Sequence, residues 1–61
     1  MRLLRLKEVT QRTGLSRSSI YKYIEKSQFP KQVQLSERTV AWSEVEIDAW
    51  IKSKIGESRD E

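Results

Sequence analysis

The sequence predicts a small, mainly α domain carrying one β-hairpin, and three observations lead there. A Gly14-Leu15-Ser16 turn stands between two short amphipathic helical patterns. Two alternating apolar runs, Val33-Gln34-Leu35 and Val40-Ala41-Trp42, follow a Phe29-Pro30 break. Ser43-Glu44-Val45-Glu46 then opens a longer apolar stripe with a capping-box pattern. Helix, turn, helix, hairpin and closing helix, in that order, make a winged helix-turn-helix.

Taken in order, Arg2 to Arg5 reads as an extended arm with Leu4 or Leu6 packing inward. Leu6 to Thr13 is a first helix with Leu6, Val9 and Thr13 on its inner face, and Glu8 in its first turn suits the helix dipole. Arg5 and Leu6 are poor N-caps, so its start is not sharply marked. Gly14 can take the positive φ that ends a helix, Leu15 is a buried plug, and Ser16 is the N-cap of the next helix. On that helix Ile20, Tyr23 and Ile24 face one way, leaving Arg17, Ser18, Tyr21, Lys22 and Glu25 on the other. Such a helix can dock on a fold with one face and probe a DNA groove with the other, although any amphipathic helix has a polar face.

Pro30 cannot continue the helix, and Phe29 before it is expected as a core anchor. Val33 and Leu35 share one strand face, as do Val40 and Trp42. Ser36-Glu37-Arg38-Thr39 lacks the glycine of the tightest hairpins, so a four-residue type I loop is expected. Arg38 at its tip is placed to reach sugar-phosphate or a minor groove, or is an ordinary solvated arginine. In the closing helix Ser43 caps the N3 amide and Glu46 reaches back. Ile47, Trp50, Ile51 and Ile55 line its inner face, Val45 and Ala49 its outer one. Gly56 is expected to end it. The domain therefore occupies 1–56, and 57–61 is a charged flexible tail. The expected core is Leu15, Ile20, Ile24, Phe29, Val33, Leu35, Val40, Trp42, Ile47, Trp50 and Ile51.

At 61 residues one small core is all the chain can build. With neither cysteine nor histidine, it offers no disulfide, zinc finger, thiolate or imidazole chemistry. Its carboxylates sit mostly on the capped helix and in the tail, where dipole and solubility roles suffice, so an enzyme is not expected. No metal, cofactor or small-molecule ligand is expected either. No apolar run approaches a membrane span, and the N-terminus lacks a signal peptide's apolar core, which points to the cytoplasm. The net charge of +3 divides unevenly: residues 1–31 carry +6 and residues 32–61 carry −3. A basic half joined to an acidic half suits a polyanion on one face.

Arg5-Leu6-Lys7-Glu8-Val9, Thr13 to Tyr21, Phe29-Pro30-Lys31, Val40-Ala41-Trp42 and the Glu44–Ile51 segment ending Asp-Ala-Trp-Ile together resemble the AlpA family. These are small phage- and prophage-associated transcriptional regulators, and the likeness covers nearly the whole chain. It implies an excisionase-like, MerR-like winged helix-turn-helix DNA-binding domain. It also implies sequence-specific regulation of prophage integrase or excision genes. Direct action as an excisionase-type recombination directionality factor on attachment-site DNA is the alternative, and a small protein-binding adaptor anchored by Trp42 and Trp50 is another. Where relatives commonly carry glycine in the wing loop, this chain has Ser36-Glu37-Arg38.

The expected partner is double-stranded DNA, met in the bacterial nucleoid. The expected contact residues are Arg17, Ser18, Ser19, Tyr21 and Lys22 on the second helix, with Arg5, Lys31 and Arg38 on the phosphate backbone. A lone helix reads too few base pairs to single out one genomic site, so a homo-oligomer or cooperative copies on DNA are expected.

Overall fold

The computed structural model describes residues 2–59. Its elements run β1 (Leu3–Leu4), α1 (Leu6–Thr13), α2 (Arg17–Glu25), β2 (Val33–Ser36), β3 (Thr39–Ser43) and α3 (Glu44–Arg59). Helices predominate, and the three short strands form an antiparallel sheet in the order β1-β3-β2. This is the winged helix-turn-helix that the element order predicts.

The expected arm is a third strand. Leu3 pairs with Ser43 and Leu4 with Trp42, and the Glu44 N–H donates to the Arg2 carbonyl at 3.0 Å. Leu4 is thereby fully buried. Alternation cannot announce a strand of two residues; pairing with β3 creates it.

Helix α1 starts at Leu6 because the Glu8 carboxylate accepts the Arg5 backbone N–H at 3.4 Å, half of a capping box on an unpromising cap residue. It ends where Gly14 takes φ 74° and donates its N–H to the Thr10 carbonyl at 2.9 Å. The Thr13 hydroxyl binds the Val9 carbonyl at 2.8 Å and accepts the Leu15 N–H at 3.2 Å, which stiffens the turn. As expected, Ser16 caps α2 by accepting the Ser19 N–H at 3.2 Å.

The exit of α2 is not set by Pro30. Ser27 enters the left-handed region at φ 58°, its N–H donates to the Ile24 carbonyl at 3.0 Å, and the Gln28 N–H donates to the Tyr23 carbonyl at 2.8 Å. That pair of bonds is a Schellman closure with serine in the place glycine usually takes.

Between β2 and β3 only Glu37 and Arg38 are unpaired, so the wing turns in two residues rather than four. Neither has positive φ, so the turn is not one of the primed types. The register slips by one residue between Gln34 and Ser36, and this bulge takes up the mismatch.

Leu4, Val9, Ile20, Phe29, Trp42 and Ile47 form the buried core. Leu15, Ile24, Val40, Trp50 and Ile51 pack against it half-buried, but Val33 and Leu35 remain 41% and 48% exposed and drop out of the expected core. Strand β2 is an edge strand with every residue exposed, and among the described residues no helix covers its apolar face.

One half of the α3 capping box forms: the Ser43 hydroxyl accepts the Glu46 N–H at 3.5 Å, while the Glu46 side chain stays exposed. The helix then runs through Gly56 to Arg59, so residues 57–59 are helical rather than a frayed tail. Gly56 lacks the positive φ of a helix-ending glycine. The remainder of the predicted tail, Asp60 and Glu61, lies outside the described residues, as does Met1. Among the described residues no helix is long and apolar enough to cross a membrane.

Candidate nucleic-acid interface

Arg17 and Ser18 occupy the first two positions of α2, both exposed, directly after the Ser16 cap. The N-terminus of a helix carries unsatisfied N–H groups and the positive end of its dipole, so it approaches a polyanion favourably. Lys22 extends the same exposed face by one turn. Ser19 is half-buried, and its hydroxyl accepts one from Ser16 at 3.0 Å, so it serves the cap as well as the surface.

Tyr21 departs from its expected place on the outward polar face. It is half-buried against the core, its ring edge-on to Trp42 with centroids 6.3 Å apart. The indole of β3 is large enough to reach the flank of α2, so the Tyr21 ring is shared between core and surface.

Cations of the basic half differ in availability. Arg12 binds Glu44 at 2.9 Å and Asp48 at 3.4 Å; Arg2 binds Glu8 at 2.9 Å and lies 3.9 Å from Glu44. These pairs tie α1 and the β1 arm to the start of α3 and neutralise two charges within the fold. Arg5, Arg17, Lys22, Lys26, Lys31 and Arg38 make no ion pair among the described residues, and all are exposed.

Arg5 follows β1 at one sheet edge, Lys31 precedes β2 at the other, and Arg38 is at the wing tip beyond the opposite end of β2. They therefore stand at three separate points of the sheet. Glu37 stands beside Arg38 in the turn.

The two tryptophans hold α2 and the wing in register. Trp42 is fully buried and its indole N–H donates to the Pro30 carbonyl at 3.1 Å. The Trp50 indole N–H donates to the Gln28 carbonyl at 2.8 Å, and its ring meets Phe29 edge-on at 4.8 Å. Trp42 is therefore not available as the anchor for a partner protein.

The residues that sequence reasoning passed over are Lys26 and Tyr23. With Ser19 and Lys22 they line a cavity of about 260 Å³ on the flank of α2. The spacing Ser19, Lys22, Tyr23, Lys26 is the signal, because positions three and four apart share a helix face.

The model of the family described as Prophage CP4-57 regulatory protein (AlpA) matches residues 2–55 of the chain. Protein ORF88 of Enterobacteria phage P4, itself described as uncharacterized, is 48% identical over 54 residues. That match covers 88% of this chain and 61% of the phage protein, so the chain spans less than two thirds of that relative's length. The DNA-binding transcriptional activator AlpA of Escherichia coli (strain K12) is 37% identical over 60 residues, covering 88% of this chain and 86% of that protein.

Proposed function

Because the chain belongs to the AlpA family of prophage regulatory proteins, we propose that it is a sequence-specific DNA-binding transcriptional regulator of prophage integrase or excision genes, acting in the bacterial cytoplasm. The observation that carries this reading is the N-terminal half of α2. Arg17, Ser18 and Lys22 form an exposed strip immediately after the Ser16 cap, and neither cation is neutralised by a carboxylate among the described residues.

In this reading α2 enters the major groove by its N-terminus. Arg17 grips the two acceptors of a guanine, and Ser18 is small enough to let the helix approach closely. Ser19 holds the cap and can touch a sugar or phosphate. Tyr21 is half-buried beside Trp42, so it presents only part of its side chain to the groove. Arg5, Lys31 and Arg38 take phosphates at three separate points and set the orientation of α2 without reading bases. One helix spans only a few base pairs, so several copies act together on one regulatory site.

The test is selection of bound duplexes from a random pool, followed by titration over a range of salt. A regulator of this kind enriches one short motif, and its affinity falls steeply with salt. An unenriched pool with salt-independent binding would refute the reading.

A further inference from the structure

Beside the reading strip, and sharing Lys22 with it, α2 carries a second polar surface with a shape of its own. Ser19, Lys22, Tyr23 and Lys26 line the concavity of about 260 Å³ on the helix flank. Lys22 and Lys26, four residues apart, share this flank of the helix, and neither makes an ion pair among the described residues. The Ser19 hydroxyl, which accepts from Ser16, keeps its own proton to donate. Tyr23 is half-buried, its ring 6.3 Å from that of Trp50, and it also borders the cavity. The lining thus offers two charges and two hydroxyl donors and no carboxylate.

We propose that this flank cavity is a phosphate seat, in which Lys22, Lys26, Ser19 and Tyr23 hold one phosphodiester group of the DNA backbone. The chemistry of the lining suits a compact oxyanion, because the residues bordering this one concavity carry ammonium and hydroxyl donors and no carboxylate. Its position selects the duplex as the source. Successive helix residues advance by about 100°, which puts Lys26 and Ser19 roughly a quarter-turn around α2 from Ser18, on the side away from Tyr21. A helix lying in a major groove has its reading face on the bases and its flanks beside the two backbones. The seat rests on the proposed DNA-binding function, and it assigns Lys26 and Tyr23 roles that the reading strip leaves vacant.

Two variants test it without disturbing the core: Lys26→Gln removes an exposed charge, and Tyr23→Phe removes only a hydroxyl. Duplex affinity is measured on the selected and on a scrambled sequence across a salt series. Lys26→Gln is expected to weaken both duplexes by the same factor and to reduce the log–log salt slope by about one. Tyr23→Phe is expected to weaken both with the slope unchanged, since no charge is lost. Unchanged affinity and slope for Lys26→Gln, with the wild type still binding DNA, would overturn the seat alone. A wild type that binds neither duplex would overturn the DNA-binding reading itself, and the seat with it. Inorganic phosphate, exchanged for chloride at constant ionic strength, separates the sources: a seat that holds the backbone is open to competition, so duplex affinity is expected to fall more for the wild type than for Lys26→Gln. Phosphate that binds the wild type while leaving its duplex affinity unchanged would assign the cavity to free phosphate and overturn its assignment to the backbone.

Discussion

The indole N–H of Trp50, on the closing helix, donates to the backbone carbonyl of Gln28 at 2.8 Å, just where the chain leaves α2. With Trp42 bound to the Pro30 carbonyl, two indoles grip the connector on either side of Phe29. The orientation of α2 against the wing therefore depends on contacts between residues 12 and 22 positions apart in the chain. Trp50→Phe keeps the aromatic contact with Phe29 but deletes the hydrogen bond. It is expected to cost about 1 kcal/mol, read as a melting temperature about 4–8 °C lower. Phe29→Ala, which empties the centre of the same cluster, is expected to cost about 3–5 kcal/mol and to unfold a domain this small.

Ser27 at φ 58° pays for the Schellman closure of α2 with backbone strain. Ser27→Gly is expected to relieve it and stabilise the domain by about 0.5–1 kcal/mol, because glycine enters this region without steric cost. Chemical denaturation of the two proteins measures the difference; a destabilised glycine variant would show that Ser27 contributes a contact outweighing the strain.

The two sheet edges should respond oppositely to substitution. Leu4→Ala, on β1, removes a fully buried side chain and is expected to cost about 2–5 kcal/mol. Leu35→Ser, on β2, alters a side chain 48% exposed and is expected to cost less than about 1 kcal/mol. Equal losses in denaturant melts would mean that the apolar face of the wing is covered in solution.

That contrast also marks how far the sequence was legible. Gly14, Ser16 and Ser43 announce the helix boundaries because each acts through its own backbone or hydroxyl within a few residues. Val33 and Leu35 have the alternation of a half-buried strand, yet burial depends on whether an element lies over the face, and among the described residues none buries them. Leu3–Leu4 is a strand only through its partner Ser43–Trp42, a contact forty residues distant. Gly56 reads as a stop, but without a left-handed turn the helix continues through it. At the candidate interface, Arg17, Ser18 and Lys22 were visible from helical periodicity. The half-burial of Tyr21 was not, because it depends on the reach of Trp42 from another element.

Arg12 should support the fold rather than bind DNA, since it holds Glu44 and Asp48 across the α1–α3 junction. Arg12→Gln is expected to lower stability by about 0.5–1 kcal/mol, less so at high salt, where the pairs are screened. Its salt slope for duplex binding is expected to match the wild type; a slope reduced by about one would place Arg12 on a phosphate instead.

The central claim is that the N-terminus of α2 reads sequence, and Arg17 tests it most directly. Wild type and Arg17→Ala are titrated at one fixed salt concentration against the duplex selected from the random pool and against its scrambled counterpart. Arg17→Ala is expected to lose about 1–3 kcal/mol, roughly a tenfold to hundredfold drop, on the selected duplex and little on the scrambled one. Equal losses on both duplexes would contradict it and move sequence reading away from this helix.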